Sequence, residues 1–174
     1  MEGSGTAFSP IVAFGENTSK PHHVPTERKL KMADPILIDM GCKYEGYCSD
    51  MTRTIFMGCI LEEIKPLYDL VKKNQFLSLR EVKDNSNIKN IAKSAENDEL
   101  PTMHALGHGI GLETHEAPYI KIKNENILKE NMMITIEPGA YIPGKYGIRI
   151  EDTVLVTKSG SIELTTSEKG YVVI

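Results

Sequence analysis

The stretch PILIDMGCKYEGYCSDMTRTIFM, residues 35–57, decides the fold of this chain. Pro35 to Met40 and Tyr47 to Met57 are two runs rich in β-forming residues. Between them Lys43-Tyr44-Glu45-Gly46 carries the chemistry of a hairpin turn. A turn centred between Tyr44 and Glu45 sets Asp39 directly opposite Asp50 on one face, with Cβ atoms roughly 5 Å apart. Like charges so placed destabilise a sheet, and two readings account for them. Either a shared cation bridges the two carboxylates, or both are solvated strand ends whose charges diverge.

Upstream, Thr6 to Phe14 reads as a strand closed by Gly15-Glu16-Asn17. Downstream, Ile64, Leu67, Val71 and Ser78 to Val82 follow a period near 3.6, with Glu62, Glu63, Lys72, Lys73 and Arg80 on the outer face. Pro66 then belongs in or near the first helical turn, where its missing N–H is harmless. A shorter helix starts near Ser86, with Ile88, Ile91, Ala92 and Ala95 as its apolar stripe. Met132 to Ile142 and Tyr146 to Val156 form a second strand pair joined by Pro143-Gly144-Lys145, and a last short strand runs from Ile162 to Thr165. Strands, then two helices, then strands, indicate α+β rather than a βαβ parallel sheet.

The composition bounds the chemistry. At 174 residues the chain suits one domain with a sizeable core, and 40% hydrophobic with 25% charged residues excludes a disordered chain. A net charge of −4 excludes a nucleic-acid binder built on a basic surface. No apolar run approaches the ~20 residues of a membrane span, and no signal peptide is visible. Cys42, Cys48 and Cys59 are an odd number without metal-type spacing, which suggests free thiols in a reducing cytosol.

Working outward again, residues 103–118, MHALGHGIGLETHEAP, place His104, His108 and His115 within twelve residues, threaded through Gly107, Gly109 and Gly111. A lone histidine is usually a satisfied surface or core residue; three in a glycine-rich stretch favour ligation or proton transfer. Glu137 interrupts the apolar run Ile134-Thr-Ile-Glu137-Pro-Gly139, so it is expected to be part-buried and to need a counter-charge, a metal or a raised pKa. Arg149 and Glu151 share one strand face, and an ordinary exposed Arg–Glu pair remains an alternative for Arg149. Asp39, Asp50, His108, Glu137 and Glu151 together make an oxygen-rich set suited to Mn²⁺ or other fairly hard divalent ions rather than a structural zinc. No P-loop ending, Gly-x-Ser-x-Gly elbow or His-Glu-x-x-His motif is present.

With these residues in place, the chain resembles the pita-bread metallopeptidases, and within them the Xaa-Pro aminopeptidase and Xaa-Pro dipeptidase (prolidase) branch, from about Gly5 to Thr157. Ile38-Asp39-Met-Gly and Ser49-Asp50-Met-Thr-Arg-Thr54 match its two aspartate strands. Gly107-His108-Gly-Ile-Gly with His115-Glu116 matches its histidine motif, and Thr135-Ile-Glu137-Pro-Gly139 and Arg149-Ile-Glu151-Asp-Thr153 match its glutamate strands. With acids 24 and histidines 5 of 174 residues, four acids and one histidine at named positions coincide by chance about once in 10⁵. The branch rests on Pro21-His22-His23-x-Pro25 and on Arg149, where methionine aminopeptidases usually carry Gln.

The resemblance implies a curved antiparallel sheet with helices on its outer face. It implies two divalent ions, manganese first with cobalt, zinc or iron as alternatives, held by Asp39, Asp50, His108, Glu137 and Glu151. The implied reaction cuts the bond between an N-terminal residue and a following proline, the two ions sharing a water and lowering its pKa. Glu137 would shuttle a proton, and His22 and His115 would hydrogen-bond the scissile carbonyl. His104 would line the substrate pocket, and Arg149 would tether a neighbouring carboxylate or the substrate. A methionine aminopeptidase and a binding module without catalysis are the alternatives. The expected partner is a peptide with proline second, with no nucleic acid and no membrane; the full-length protein is expected to be a cytoplasmic homodimer. Xaa-Pro peptidases normally carry an N-terminal domain and further helices ahead of the strand matching Thr6 to Phe14. Met1 stands almost directly before that strand, and Asn97 to Pro101 looks short. Residues 1–174 are therefore expected to be a single catalytic domain of a longer protein.

Overall fold

The computed structural model describes residues 3–96 and 103–174, so the short stretch Asn97 to Pro101 lies outside the described residues. The first expected strand divides at Ser9-Pro10 into β1 (Gly5–Thr6) and β2 (Ile11–Phe14), which join different sheets. Pro10 has no N–H to give to a ladder. A 3-10 turn, Gly15–Ser19, follows. The decisive hairpin divides likewise into β3 (Pro35–Met40), β4 (Cys42–Tyr44), β5 (Tyr47–Cys48) and β6 (Met51–Phe56). The sheets so formed are β2-β3-β6 and β1-β4-β5.

The register corrects one expectation. Tyr44 pairs with Tyr47, and the turn residues are Glu45 and Gly46, at φ 48° and 87°. Glycine enters that left-handed region without steric cost, so the turn settles one residue later than expected. Asp39 therefore pairs with Thr52 and not with Asp50. Asp50, two residues before Thr52, keeps the same face by the period of two and lies diagonally from Asp39.

The helices form as expected. α1 (Lys65–Glu81) carries Pro66 in its first turn and buries Leu67, Tyr68, Val71, Gln75 and Ser78. α2 (Ile88–Ser94) is capped by the Asn87 side chain, which accepts from Lys89 N at 2.9 Å.

Seven further strands complete the chain: β7 (Gly107–Gly109), β8 (Glu116–Ile120), β9 (Met133–Ile136), β10 (Gly139–Ile142), β11 (Tyr146–Arg149), β12 (Asp152–Val156) and β13 (Ser161–Glu163). The second strand pair is also split. β9 and β12 belong to the sheet β13-β12-β9-β7-β8, whereas β10 and β11 pair with each other. At both breaks a backbone donor leaves the hairpin: Glu137 N–H bonds Leu106 O, and Glu151 N–H bonds Thr52 O. β7 and β8 form where a glycine-rich run signals a loop. Here the glycines permit close approach, since a Cβ on Gly107 would stand 1.9 Å from Thr135 O and one on Gly109 2.3 Å from Ala117 O.

Alternation sorts the side chains into two layers. Ile134, Ile136, Val154 and Val156 face a cluster with Ile88, Ile91 and Ala92 of α2, while Ile148, Ile150 and Phe56 meet Leu67, Tyr68 and Val71 of α1. Thr135, Glu137, Arg149 and Glu151 consequently point to the opposite face. The fold is α+β, a curved antiparallel sheet with helices on its outer face. No described helix is long and apolar enough to cross a membrane, and Cys42, Cys48 and Cys59 are free thiols.

One charged node breaks the apolar rule on the helix side. Asp152, 0% exposed, accepts from Arg53 Nη2 (2.6 Å), Gln75 Nε2 (2.7 Å), Thr165 Oγ1 (2.7 Å) and Lys169 Nζ (3.0 Å). Arg53 Nη1 also bonds the carbonyls of Thr52 and Glu151. The node ties β6, β12, α1 and the C-terminal segment together directly behind Glu151.

Candidate metal centre

The breaks in the two hairpins deliver the acids to one cleft of about 230 Å³, lined by Asp39, Asp50, His108, Glu137 and Glu151 among others. A strand that changes sheets turns its backbone, so the residue at the corner projects into the concave side. Asp50, Glu137 and Glu151 stand at such corners, and Asp39 lies two residues before Gly41, where β3 gives way to β4.

Asp50, His108 and Glu151 bring ligand atoms within 4.8 Å of one another. His108 Nε2 stands 3.6 Å from Asp50 Oδ2 and 3.4 Å from Glu137 Oε1. The other ring nitrogen, Nδ1, lies 2.9 Å from Gly109 O, so the tautomer donating there leaves the Nε2 lone pair facing the acids. Burial lowers His108 to a pKa of about 4, which keeps the imidazole neutral. Glu151 accepts from Thr52 Oγ1 at 2.6 Å.

Two oxygens, Asp39 Oδ1 and Asp50 Oδ1, are buried with no hydrogen-bond partner among the described residues. Such an orphan costs about 1–3 kcal/mol, and more when charged. A divalent cation held by Asp39 and Asp50 would relieve that cost, so the donor set fits the metal group that the resemblance implies. The carboxylates show the same crowding. Burial, reinforced by neighbouring acids, raises Asp50 to about 9 and Glu151 to about 7, and lifts Glu137 well above the ordinary range.

A stability prediction follows from these shifts. Carboxyls with raised folded pKa values favour folding while protonated, fully so below their unfolded values near 4. That contribution is lost as pH rises through about 7 for Glu151 and about 9 for Asp50. Metal-stripped protein should therefore melt progressively lower between pH 5 and pH 9, by several degrees at about 2–4 °C per kcal/mol for this size. Added Mn²⁺ should raise the melting temperature most at the alkaline end. A pH-independent melting temperature in stripped protein contradicts the crowding.

The remaining candidates surround the acids. Arg149, 4% exposed, is fully engaged: Nη2 to Asp39 Oδ2 (2.6 Å), Nε to Thr52 Oγ1 (3.1 Å), and Nη1 to Pro21 O (3.2 Å) and Tyr141 OH (3.0 Å). Of its two expected roles, it takes the tether to a carboxylate. His104 Nε2 accepts from Tyr141 OH at 2.8 Å while Nδ1 lies 2.8 Å from Ala105 O, and burial lowers this imidazole to about 4. His115 is exposed, its ring 4.3 Å from that of His108, and His22 lies exposed on the cleft wall. Tyr141, buried between Arg149 and His104, went unread because an isolated tyrosine in a strand carries no spacing signal. Thr52 went unread for the same reason, and Phe8, Ile11 and Tyr119 add an apolar side to the cleft.

A buried cluster of acids with one neutral imidazole, lining a cleft on the concave face of a pita-bread sheet, defines a candidate metal-dependent hydrolase centre. The sequence profile of metallopeptidase family M24 matches residues 1–158, and the chain belongs to that family. It is 42% identical over 171 residues to an uncharacterized peptidase of Staphylococcus epidermidis, covering 94% of this chain and 48% of that one. It is 40% identical over 169 residues to an Xaa-Pro dipeptidase of Pyrococcus horikoshii, with the same coverage. The crystal structure of an X-Pro aminopeptidase from Thermotoga maritima superposes with a TM-score of 0.94 at 37% identity, over 99% of this chain and 51% of that one. The chain spans about half the length of the curated relatives it matches.

Proposed function

We propose that this chain hydrolyses the peptide bond between an N-terminal residue and a following proline, as an Xaa-Pro aminopeptidase or dipeptidase. One observation carries the reading: five ligand-type side chains, drawn from separate sheet corners and strands, converge in a cleft bordered by His22, His104 and His115. Asp39, Asp50, His108, Glu137 and Glu151 would hold two divalent cations, manganese first by the hardness of the donors. Cations bound there polarise the scissile carbonyl and lower the pKa of a water.

The chain's own residues supply the rest. Glu137, with Oε1 facing His108 and Oε2 3.8 Å from His104 Nδ1, is placed to take the proton of the attacking water and pass it to the leaving nitrogen. Its raised pKa suits a group that must hold that proton between the two transfers. His115 and His22 donate to the carbonyl oxygen as charge develops on it. Arg149 acts on Asp39 and on the Tyr141–His104 pair, which makes it a positioning residue.

Proline specificity rests on the Xaa-Pro dipeptidase and X-Pro aminopeptidase among the related proteins, and on Arg149 in place of Gln. The test is hydrolysis of Ala-Pro, Ala-Pro-Xaa and Met-Ala-Xaa by the Mn²⁺-loaded protein, beside direct measurement of bound Mn, Co, Fe and Zn. Cleavage confined to the proline peptides supports the proposal. Preference for Met-Ala-Xaa turns the assignment to methionine aminopeptidase, and a metal-loaded protein that cuts none of them is a binding module.

A further inference from the structure

We propose that Arg28 is a positioning residue for His22, clamping the strap that carries it against the sheet. The inference rests on the reading that His22 meets the scissile carbonyl. Pro21 to Met32 forms neither helix nor strand. Among the described residues, the backbone-to-backbone bond this stretch makes is Asp34 N to Lys31 O, at its far end. A segment without ladder bonds holds its place through side chains alone. His22 itself is exposed, so its height over the cleft is the height of the strap.

Two arginines hold that strap. At its start Arg149 Nη1 donates to Pro21 O. Beyond His22, Arg28 closes a bidentate pair with Asp34, Nη1 to Oδ2 at 2.7 Å and Nη2 to Oδ1 at 3.0 Å, and bonds Glu16 Oε2 through Nε at 2.8 Å. Nη1 also reaches Lys29 O at 2.9 Å, and the guanidinium lies 5.6 Å from the centre of the Phe14 ring. Asp34 directly precedes β3, and Glu16 lies in the 3-10 turn behind β2, so the anchors belong to the sheet that carries Asp39. Asp34 Oδ2 further accepts from Lys31 N at 2.8 Å, fixing the strap's exit.

This is not an ordinary surface pair. The Arg28 and Asp34 side chains are only 14% and 11% exposed, and the fork geometry sets direction as well as distance. Thr26 adds a second stitch, accepting from Arg28 N and from Asn17 Nδ2. A clamp this specific on a segment that forms neither helix nor strand has a purpose if one residue of the segment must stand at a fixed height.

The test is a double-mutant cycle with His22. Arg28→Met is expected to lower kcat for Ala-Pro about tenfold, with a smaller change in KM, because the donor it misplaces is needed where charge develops on the carbonyl oxygen. In a His22→Ala background the same substitution should cost less than about twofold. Arg28→Lys should fail to restore kcat, since an ammonium cannot reproduce the fork. Hydrogen exchange gives a readout free of catalysis: in Arg28→Met, residues 21–31 should exchange faster while β9 and β12 stay unchanged. An equal cost of Arg28→Met in both backgrounds, or unaltered exchange in the strap, overturns the proposal. Should the unsubstituted protein cut no Xaa-Pro peptide, the functional reading fails, and the exchange comparison still supports or overturns the clamp.

Discussion

Asp39→Asn is expected to strip the metal and to lower kcat/KM by about 10³-fold, the several kcal/mol that cation stabilisation of the transition state supplies. The aspartate serves two partners with two oxygens. Oδ2 takes Arg149 Nη2 at 2.6 Å, and Oδ1 is buried with no hydrogen-bond partner among the described residues. An amide cannot do both. With its oxygen toward Arg149 it would offer an N–H₂, which is no ligand, to any cation held there; reversed, it sets N–H₂ against a guanidinium that is 4% exposed. Either arrangement also removes the negative charge that balances Arg149, and a buried charge deprived of its partner is costly. Metal content after desalting, measured beside Ala-Pro hydrolysis over a range of Mn²⁺, decides the matter. Retention of both within about tenfold of the unsubstituted protein removes Asp39 from the ligand set.

Asp152→Ala is expected to cost roughly 3–5 kcal/mol of stability, the magnitude typical of breaking a buried ion pair from one side. Asp152 receives four donors from three parts of the chain, β6, α1 and the C-terminal segment, and its removal strands Arg53 at 6% exposure. The partner loss reaches the cleft as well, because Arg53 holds the Glu151 carbonyl at 2.5 Å. Urea unfolding at pH 7 measures the change through the midpoint at constant slope. Lys169→Met, which removes one outer donor 24% exposed, should cost under about 1 kcal/mol and folds even if the alanine variant does not. A loss below about 1 kcal/mol for Asp152→Ala would mean that water replaces Asp152 around Arg53.

Much of this arrangement was legible before the fold. The apolar alternation of residues 35–57 and 132–156 marked both hairpins, and the 3.6 period marked both helices. The interruption at Glu137 marked a carboxylate placed where strands want apolar residues. What escaped is instructive. The strand pattern permits a turn at Glu45-Gly46 or one residue earlier, and only the left-handed backbone at both residues selects the former. β7 and β8 escaped because glycine says that the chain can bend, not that a neighbour needs the space. Thr52 and Tyr141 carry no spacing signal because Arg149 and His104, which they bond, lie 97 and 37 positions away, and the Arg28–Asp34 clamp carries none because a separation of 6 outside helix and strand places no two side chains on a common face.

The sequence by itself determined the residue types and their local faces: which acids and imidazoles exist, on which side of a strand each points, and that helices cover the other side. Those follow from short-range stereochemistry, the alternation of a strand and the pitch of a helix. Tertiary structure decided the distances. It broke each hairpin at its acids, set Asp39 diagonal to Asp50, gave Arg149 to a carboxylate, and left two carboxylate oxygens without partners. Those depend on how sheets cross and on which backbone donors leave one strand for another, and no spacing along a chain encodes a contact made across it.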